Sequence, residues 1–469
     1  MRKKKYLSIL LIPCLLFSGC QAGLIQRKQP LENEGEIFLY FERFPQEAER
    51  LKFNLESISV IGEEGSEFKL DFFLNDFKYR EMGRQRLVAT ARLPQGIYAR
   101  FLFKVNKASL ETESGEAALL VPDSPSGIDF KFQVISGKAL VISMVFKYNE
   151  SISGGFSFSP VFFTFIREKP IPSLVGYVAN YGSNTITVFD KKKMEVTGTI
   201  ATGGGPRGIA LSQRQGKAYI VISDEDRVDV VDLSAGEVTG RINLSIGDSP
   251  QEPALTPDGN FLLTANTGSD SVSIIDTITL LEAGKVAVGD GPHSVLIDRA
   301  GRKAYVFNTL SNNISVIDII KMENIATFVA GNEPIRGEID RSGNKLYIIC
   351  SSFPYLFVID TSNLSILRRE FVGLGMNSIK VDKRTDLFYM GRGREGDVAL
   401  YNPYSFMPVG YIQTGGAVNY IEIDNEENNL YLLIPERRVL MIINLVSKQT
   451  VAEIDVGEDP YWVSITGEN

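Results

Sequence analysis

The C-terminal three-fifths of the chain repeats one pattern of apolar and polar positions. An apolar strand segment rich in β-branched residues begins every 42 residues, with one spacing of 44, at Tyr177, Tyr219, Leu263, Tyr305, Tyr347, Tyr389 and Tyr431. Thirteen residues after each start lies an acid or its amide, at Asp190, Asp232, Asp276, Asp318, Asp360, Asn402 and Asn444. A proline begins the last segment of most units, at Pro206, Pro250, Pro292, Pro334 and Pro460, with Met376 and Val418 in its place in the fifth and sixth. Such a register indicates seven copies of one structural unit.

Each unit contains four β segments. In the fourth unit they read A-Y-V-F-N, I-S-V-I-D, I-A-T-F-V-A and P-I-R-G-E-I-D, and turns such as D-R-S-G-N-K-L lead into the next unit. A four-stranded sheet repeated at this period is typical of a propeller blade. We therefore predict an all-β protein with a seven-bladed β-propeller over residues 176–469. The proline strand is expected to be innermost, and the last one must pair with strands 176–202 to close the ring.

The preceding residues have a different pattern. Residues 36–166 alternate apolar and polar positions over many short segments, for example E-F-K-L-D-F-F, and turn signals separate them. Short strands at this spacing predict an antiparallel β-sandwich. The stretch L-P-Q-G-I-Y-A-R resembles β-sandwich modules near the N-termini of bacterial lipoproteins. Residues 20–35 are polar and predict a tether, and residues 167–175, with two prolines, predict a stiff linker.

The first 19 residues have the pattern of a signal peptide. Four basic residues, 2–5, precede an apolar run over 6–17 and a small pair, Ser18 and Gly19. The string L-F-S-G-C resembles the lipobox of bacterial lipoproteins, although Phe17 stands where leucine is usual. The resemblance implies acylation of Cys20 and anchoring in the cell envelope. Since Gln21 is not aspartate, the outer membrane is favoured, and orientation towards the periplasm or the outside stays open. The alternative is a plain secretory signal.

Net charge and cysteine content limit the binding partners and the disulfide bonds that the mature protein can have. Removal of the signal peptide takes four positive charges and no negative ones, so the formal charge falls from −8 to about −12. This disfavours nucleic acid, which binds basic surfaces. Once Cys14 is removed and Cys20 acylated, Cys350 remains alone, so no intramolecular disulfide is expected.

The residue inventory limits the chemistry. The chain has one histidine, His293, which excludes multi-histidine zinc and copper sites within a protomer. Its neighbour Ser294 should point to the opposite face of a strand, which disfavours a Ser-His-Asp triad. No dinucleotide or Walker glycine pattern and no C-x-x-C-H segment is present. We therefore assign no catalytic residue, no metal and no cofactor.

Geometry selects one group of candidate binding residues. The starts of the innermost strands should ring one mouth of the axial channel, and polar and aromatic groups that converge on a concavity are typical of a ligand site. These residues are Arg207, Gln251, Glu252, His293, Arg336, Asn377, Asn419, Tyr420, Tyr461 and Trp462. The alternative is that they only solvate a water-filled channel. Loops on the same face carry Phe353, Tyr355, Arg392, Arg394, Arg437 and Arg438, which form either a partner surface or a solvated rim.

The repeat resembles a known family. The units Y-V-A-N-Y-G-S-N-T-I-T-V-F-D and L-T-A-N-T-G-S-D-S-V-S-I-I-D resemble the YVTN repeat, over about three-fifths of the chain. The resemblance implies an exported or surface-layer-like protein. The anchor, the regular repeats and the missing catalytic inventory together predict a non-enzymatic envelope module that binds a protein or a glycan. Related propellers include lactonases, so the alternative is a hydrolase that uses Arg207, Glu252, His293 and Arg336 at the channel mouth.

Overall fold

A computed structural model of the chain describes residues 28–113 and 115–467. The predicted signal peptide, Cys20 and the first part of the predicted tether lie outside these residues. The regular secondary structure of the described part is almost entirely strand, so the all-β prediction is confirmed. Within that part, no helix has the length and apolar character needed to span a bilayer.

The N-terminal part contains thirteen strands and one short helix in the described residues. The strands are β1 Glu34–Phe41, β2 Leu51–Gly62, β3 Glu67–Lys69, β4 Asp71–Phe72, β5 Asp76–Lys78, β6 Arg86–Pro94, β7 Gly96–Thr112, β8 Gly115–Ala118, β9 Ser126–Val134, β10 Ala139–Phe146, β11 Ile152–Ser153, β12 Ser157–Phe158 and β13 Phe162–Phe165. Helix α1 is Tyr148–Ser151, and 3₁₀ turns lie at Gln46–Arg50 and Pro172–Leu174.

Eleven of these strands form two sheets that face each other across an aromatic core, and β11 pairs with β12 in a separate hairpin. One sheet has the order β13-β10-β1-β6-β4, and the other has β3-β2-β7-β8 with β5 and β9 added on β2 and β7. Phe41, Phe53, Phe77 and Phe103 are at most 3% exposed in the space between them. One pair, β1 with β10, is parallel rather than antiparallel. Alternation along a single strand does not reveal its direction relative to a neighbour, so the sequence pattern did not predict this.

The C-terminal part contains strands β14 to β41, given next in chain order. They are β14 Val175–Asn180, β15 Thr185–Asp190, β16 Glu195–Ala201; β17 Pro206–Ser212, β18 Lys217–Ile222, β19 Arg227–Asp232, β20 Glu237–Asn243; β21 Pro250–Leu255, β22 Phe261–Asn266, β23 Ser271–Asp276, β24 Leu281–Ala287; β25 Pro292–Ile297, β26 Lys303–Asn308, β27 Asn313–Asp318, β28 Glu323–Val329; β29 Pro334–Ile339, β30 Lys345–Cys350, β31 Phe353–Asp360, β32 Ile366–Phe371; β33 Met376–Val381, β34 Phe388–Arg392, β35 Asp397–Tyr401, β36 Pro408–Gln413; β37 Tyr420–Asp424, β38 Asn429–Ile434, β39 Val439–Asn444, β40 Thr450–Asp455; and β41 Pro460–Ile465. Further 3₁₀ turns lie at Gln213–Gln215, Ser223–Glu225 and Pro435–Arg437.

These strands form seven four-stranded antiparallel sheets in a closed ring. We name them blades 1 to 7, beginning with the sheet β16-β15-β14-β41 and then taking β17–β20 and each following group of four. The last strand of the chain, β41, pairs with β14, with Gly176 opposite Ile465 and Val178 opposite Val463. The predicted closure is therefore present. Neighbouring blades meet through their inner strands, and β41 contacts both β17 and β37.

The repeated acid and the repeated tyrosine have separate structural roles. The side-chain oxygen of Asp190 accepts hydrogen bonds of 2.8 Å from the backbone N–H groups of Lys192 and Lys193, and Asn402 does the same for Tyr404 and Ser405. Either residue suffices because each presents an oxygen acceptor to a turn. The tyrosines, by contrast, are packed between strands of adjacent blades and are at most 4% exposed.

The two parts of the chain share one packed interface. Phe38, Tyr40 and Val141 of the first sheet belong to the same buried cluster as Val196 and Ile454 of blades 1 and 7. Polar contacts surround it. The Asp455 carboxylate accepts hydrogen bonds from Arg84 (2.5 Å), Arg86 (2.8 Å) and the backbone N–H of Leu87 (3.1 Å).

Candidate functional site

Six of the seven inner strands, all except β37, have a pairing irregularity directly after their first residue, and this shapes the axial mouth. The pairing register shifts between Pro292 and Ser294 in blade 4, and between Pro334 and Arg336 in blade 5. A bulge leaves one residue unpaired and re-aims its side chain. Successive residues such as Gln251 and Glu252 are therefore not held to the strict alternation of a regular strand.

A charged network fills the mouth. Arg336 donates to Glu252 through Nη2 (2.5 Å to Oε1) and Nε (3.1 Å), and through Nη1 to the backbone carbonyls of Asn377 (3.0 Å) and Asn419 (2.8 Å). Tyr461 donates its hydroxyl to the same carboxylate oxygen at 3.1 Å. The Glu252 side chain is only 3% exposed. Burial opposes the charge on Arg336, yet the Glu252 carboxylate outweighs it and raises the pKa of that guanidinium. Glu252 of blade 3 and Arg336 of blade 5 thus link five blades, since their partners lie in blades 1, 6 and 7.

Arg207 and His293 lie at the same mouth but outside this network. The guanidinium carbon of Arg207 lies 4.4 Å from the ring centroid of Tyr181 and 4.8 Å from that of Tyr461. Nδ1 of His293 lies 3.6 Å from Oε1 of Glu252, which is too long for a hydrogen bond. Both Nε of Arg207 and Nδ1 of His293 are inaccessible and have no hydrogen-bond partner among the described residues. Burial lowers the pKa of His293, against the attraction of Glu252 and together with repulsion from Arg336 and Arg207.

The remaining predicted mouth residues make local contacts. The Gln251 side chain donates to Ser223 Oγ at 3.2 Å, so it supports the loop between β18 and β19. The rings of Tyr420 and Trp462 pack with centroids 4.0 Å apart, and Arg336 lies 5.1 Å from the Tyr420 centroid. The described contacts of Asn377 and Asn419 with Arg336 are made by their backbones, so their side chains are not part of the network.

A second charged layer lies deeper in the ring, and the sequence analysis missed it. Lys380 of β33 lies 3.0 Å from Glu422 of β37 and 3.6 Å from Glu338 of β29. Each is the fourth residue after the proline position, two beyond the residues already chosen. Applying the two-residue strand period once more along each inner strand would have found them. Burial raises the pKa of Glu338, and the two carboxylates outweigh burial to raise that of Lys380.

Three of the four predicted rim arginines are paired with carboxylates, and no such pair is observed for Arg394 among the described residues. Arg392 forms a two-pronged contact with Asp397, Arg437 lies 2.7 Å from Glu453, and Arg438 lies 3.2 Å from Glu458. These charges are therefore largely neutralised within the rim, which weakens the case for a basic partner surface there.

A second concavity, a groove, lies away from the propeller axis. It has a volume of about 1080 Å³ and lies between β10 and the outer strands β16 and β20. Lys138 crosses it to Glu237 at 2.7 Å, and Lys169 donates to the carbonyl of Ala235. Titratable side chains line the groove too, but Arg227 there is paired with Glu225 and Asp229, whereas Arg207 at the axial mouth has no carboxylate partner among the described residues. We therefore take the mouth as the candidate site.

The described residues contain no group of three histidine, cysteine or acidic side chains arranged to hold a metal ion. Cys350 is 1% exposed and donates to the carbonyl of Ala330, and burial raises the pKa of its thiol to about 12. A thiol with so high a pKa is a poor nucleophile, and Cys350 serves as a small packing residue.

Comparison with known proteins agrees with the ring. Residues 173–383 match the family model for YNCE-like beta-propellers. The C-terminal part of this chain is a β-propeller. The match begins two residues before β14 and ends after β33, so it covers the first five units of the propeller but not the more divergent last two. No curated protein matches the sequence.

Solved structures resemble the propeller in fold. The hydrazine synthase of Kuenenia stuttgartiensis aligns with a TM-score of 0.52 at 16% identity, covering 59% of this chain and 94% of that one. The dihydro-heme d1 dehydrogenase NirN aligns with a TM-score of 0.52 at 13% identity, covering 64% and 77%. A functionally unknown protein from Desulfotomaculum acetoxidans DSM 771 aligns with a TM-score of 0.56 at 14% identity, covering 63% and 100%. At these identities the likeness concerns the fold alone.

Proposed function

We propose that this protein is a cell-envelope lipoprotein whose propeller is a non-enzymatic binding module with its ligand site at the axial mouth. The observation that carries the proposal is the contrast within the mouth. Glu252 and Arg336 neutralise each other and brace the blades, whereas Arg207 is partly exposed at the mouth and has no carboxylate partner among the described residues. A cation that the fold does not neutralise can receive a polar or anionic group of a ligand.

The geometry supports binding rather than chemistry. Glu252 is held by both Arg336 and Tyr461, so it is poorly placed to take a proton from a substrate. Ser294, next to His293, donates its hydroxyl to the carbonyl of Ile335 at 2.8 Å. A nucleophile should instead lie within hydrogen-bond reach of its base.

Binding is tested with immobilised protein. Purified envelope polysaccharide and solubilised envelope proteins are passed over wild type, Arg207→Gln, His293→Ala and the control Arg214→Gln, whose side chain is exposed in the turn Gln213–Gln215. We expect the wild type and the control to retain one component that both mouth variants lose. Equal retention by all four proteins would place the binding site elsewhere.

The anchor is proposed from the lipobox-like sequence at Cys20. Lys28, the first described residue, accepts a hydrogen bond of 2.5 Å at its carbonyl from Asn184, in the loop beside the mouth of blade 1. Seven residues lie between it and Cys20, and the eight residue-to-residue steps of an extended chain span at most about 29 Å. An acylated Cys20 would therefore hold the rim of the mouth near the bilayer. Radiolabelled palmitate should enter the wild type but not Cys20→Ser, and labelling of neither would leave a plain secretory signal.

The second candidate function is a lactonase-type hydrolase. The observation that favours it is the proximity of the His293 imidazole and the Glu252 carboxylate, at 3.6 Å. The rates of lactone hydrolysis by the wild type and by His293→Ala test this candidate function. A rate that falls with the substitution would support the hydrolase, and equal rates would remove His293 from any catalytic role.

A further inference from the structure

The cationic group of Arg207 is fixed in place but not neutralised. Tyr181 and Tyr461 hold the guanidinium between their rings, at 4.4 and 4.8 Å. Among residues 28–113 and 115–467, no carboxylate forms an ion pair with it, and its Nε is buried without a hydrogen-bond partner. Arg336, by contrast, uses all three of its nitrogens on protein acceptors. An arginine whose plane is set by aromatic rings is preorganised to receive an anion.

We propose that the axial mouth binds an organic carboxylate, with the fork of Arg207 as its receptor and the His293 imidazole beside it. This inference rests on the proposed function and names the ligand chemistry of the same site. A planar carboxylate matches the guanidinium fork through two parallel hydrogen bonds.

Charge favours a carboxylate over a phosphate or sulfate dianion. Arg207 is the one mouth cation that has no carboxylate partner among the described residues, because Arg336 is committed to Glu252. Two carboxylates stand close by: Glu252 lies 3.6 Å from His293, and Asp224 accepts a hydrogen bond of 3.0 Å from Tyr181. Both repel a ligand in proportion to its negative charge, so a single charge is accommodated better than two.

The chain contains its own reporter for this test. His293 is the single histidine, so in the untagged protein one Cε1–H resonance in the proton NMR spectrum belongs to the mouth. The probes are glucuronate and N-acetyl-dialanine, which represent a sugar acid and a peptide C-terminus, together with their neutral methyl esters. Sulfate and phosphate are titrated at the same ionic strength.

We expect a saturable shift of the His293 resonance with at least one acid and none with its methyl ester. The tighter of the two acids identifies the source of the carboxylate. Arg207→Gln should weaken binding by about 10- to 100-fold, as loss of hydrogen bonds to a charged group does. Arg207→Lys should fall in between, since it keeps the charge but loses the fork. The control Arg214→Gln removes one exposed positive charge and should bind as the wild type does.

Three results would overturn the proposal: esters that bind as well as acids, tighter binding of sulfate or phosphate than of either carboxylate, or Arg207→Gln that binds as Arg214→Gln does. The absence of a shift with every probe would also overturn it. The binding module itself is judged separately by the envelope retention assay, so either result can fail without the other. Circular dichroism of each variant shows whether the fold is retained, and Arg207→Lys replaces Arg207→Gln if it is not.

Discussion

Lys191 and Asp424 form a fully buried ion pair across the point where the ring closes. The Lys191 ammonium lies 2.6 Å from Oδ2 of Asp424, and the two side chains are 1% and 0% exposed. The same ammonium donates to the backbone carbonyl of Thr466 at 2.5 Å, immediately after the closing strand β41. Lys191 follows β15 of blade 1, and Asp424 ends β37 of blade 7. One side chain thus ties the first blade, the last blade and the C-terminal strand together.

Asp424→Asn should destabilise the protein strongly. Removing one partner of a buried pair leaves an uncompensated charge, at a cost of about 3–5 kcal/mol. Chemical denaturation followed through Trp462, the single tryptophan, reads out the closing strand directly. The exposed neighbour Lys192→Met serves as the control and should change the free energy of unfolding by less than about 0.5 kcal/mol. An Asp424→Asn variant as stable as the control would show that the pair does not secure the closure.

His293 should titrate below the ordinary histidine pKa of 6.5. Burial in the mouth penalises the imidazolium and, with the repulsion from Arg336 and Arg207, outweighs the attraction of Glu252. The unfolded chain therefore takes up this proton at a higher pH than the folded chain, so the wild type loses stability as the pH falls below about 6.5. The His293→Gln variant should lose less stability than the wild type over the same pH range. The NMR titration of the single histidine measures the pKa, and a midpoint at or above 6.5 would contradict the prediction.

Glu338→Gln should stabilise the protein more at pH 8 than at pH 4.5. Burial, with the neighbouring Glu422, raises the pKa of Glu338 above 4.5 despite Lys380. The unfolded chain releases this proton near pH 4.5 while the folded chain retains it, so the wild type loses stability as the pH rises from there. Glutamine removes that loss, and Glu422 still pairs with Lys380 at 3.0 Å. Unfolding at both pH values checks this, with exposed Glu323→Gln as the control; a difference from wild type that does not vary with pH would argue against it.

Asp455→Ala should uncouple the N-terminal sandwich from the propeller. The carboxylate accepts from Arg84, Arg86 and the N–H of Leu87, and its loss leaves three donors at a buried interface, at a cost of about 2–4 kcal/mol. Calorimetry should resolve two unfolding transitions where the wild type has one, and proteolysis between residues 167 and 174 should accelerate. The control Glu458→Ala removes an exposed partner of Arg438. It should neither split the unfolding transition nor accelerate proteolysis. A single unchanged transition in Asp455→Ala would show that apolar packing alone joins the two parts.

The repeat made the ring predictable. Because each unit carries its own turn acid or amide and its own buried tyrosine, or Leu263 in the third unit, local sequence specifies one blade, and seven similar units leave the closing strand a single place to pair. The parallel pairing of β1 with β10 was not predictable in this way, since it joins segments about 100 residues apart that share no repeat.

The sequence by itself determined the all-β class, the number and register of the repeated units, and which residues begin the inner strands. Only the tertiary structure decided that Glu252 is bound by Arg336 from two blades away, that Arg207 is held between Tyr181 and Tyr461 without a carboxylate partner among the described residues, and that Lys191 reaches Asp424. The reason is physical: strand period and turn chemistry are local, whereas the pairing of charges across a ring depends on which blades face one another and how far each side chain extends.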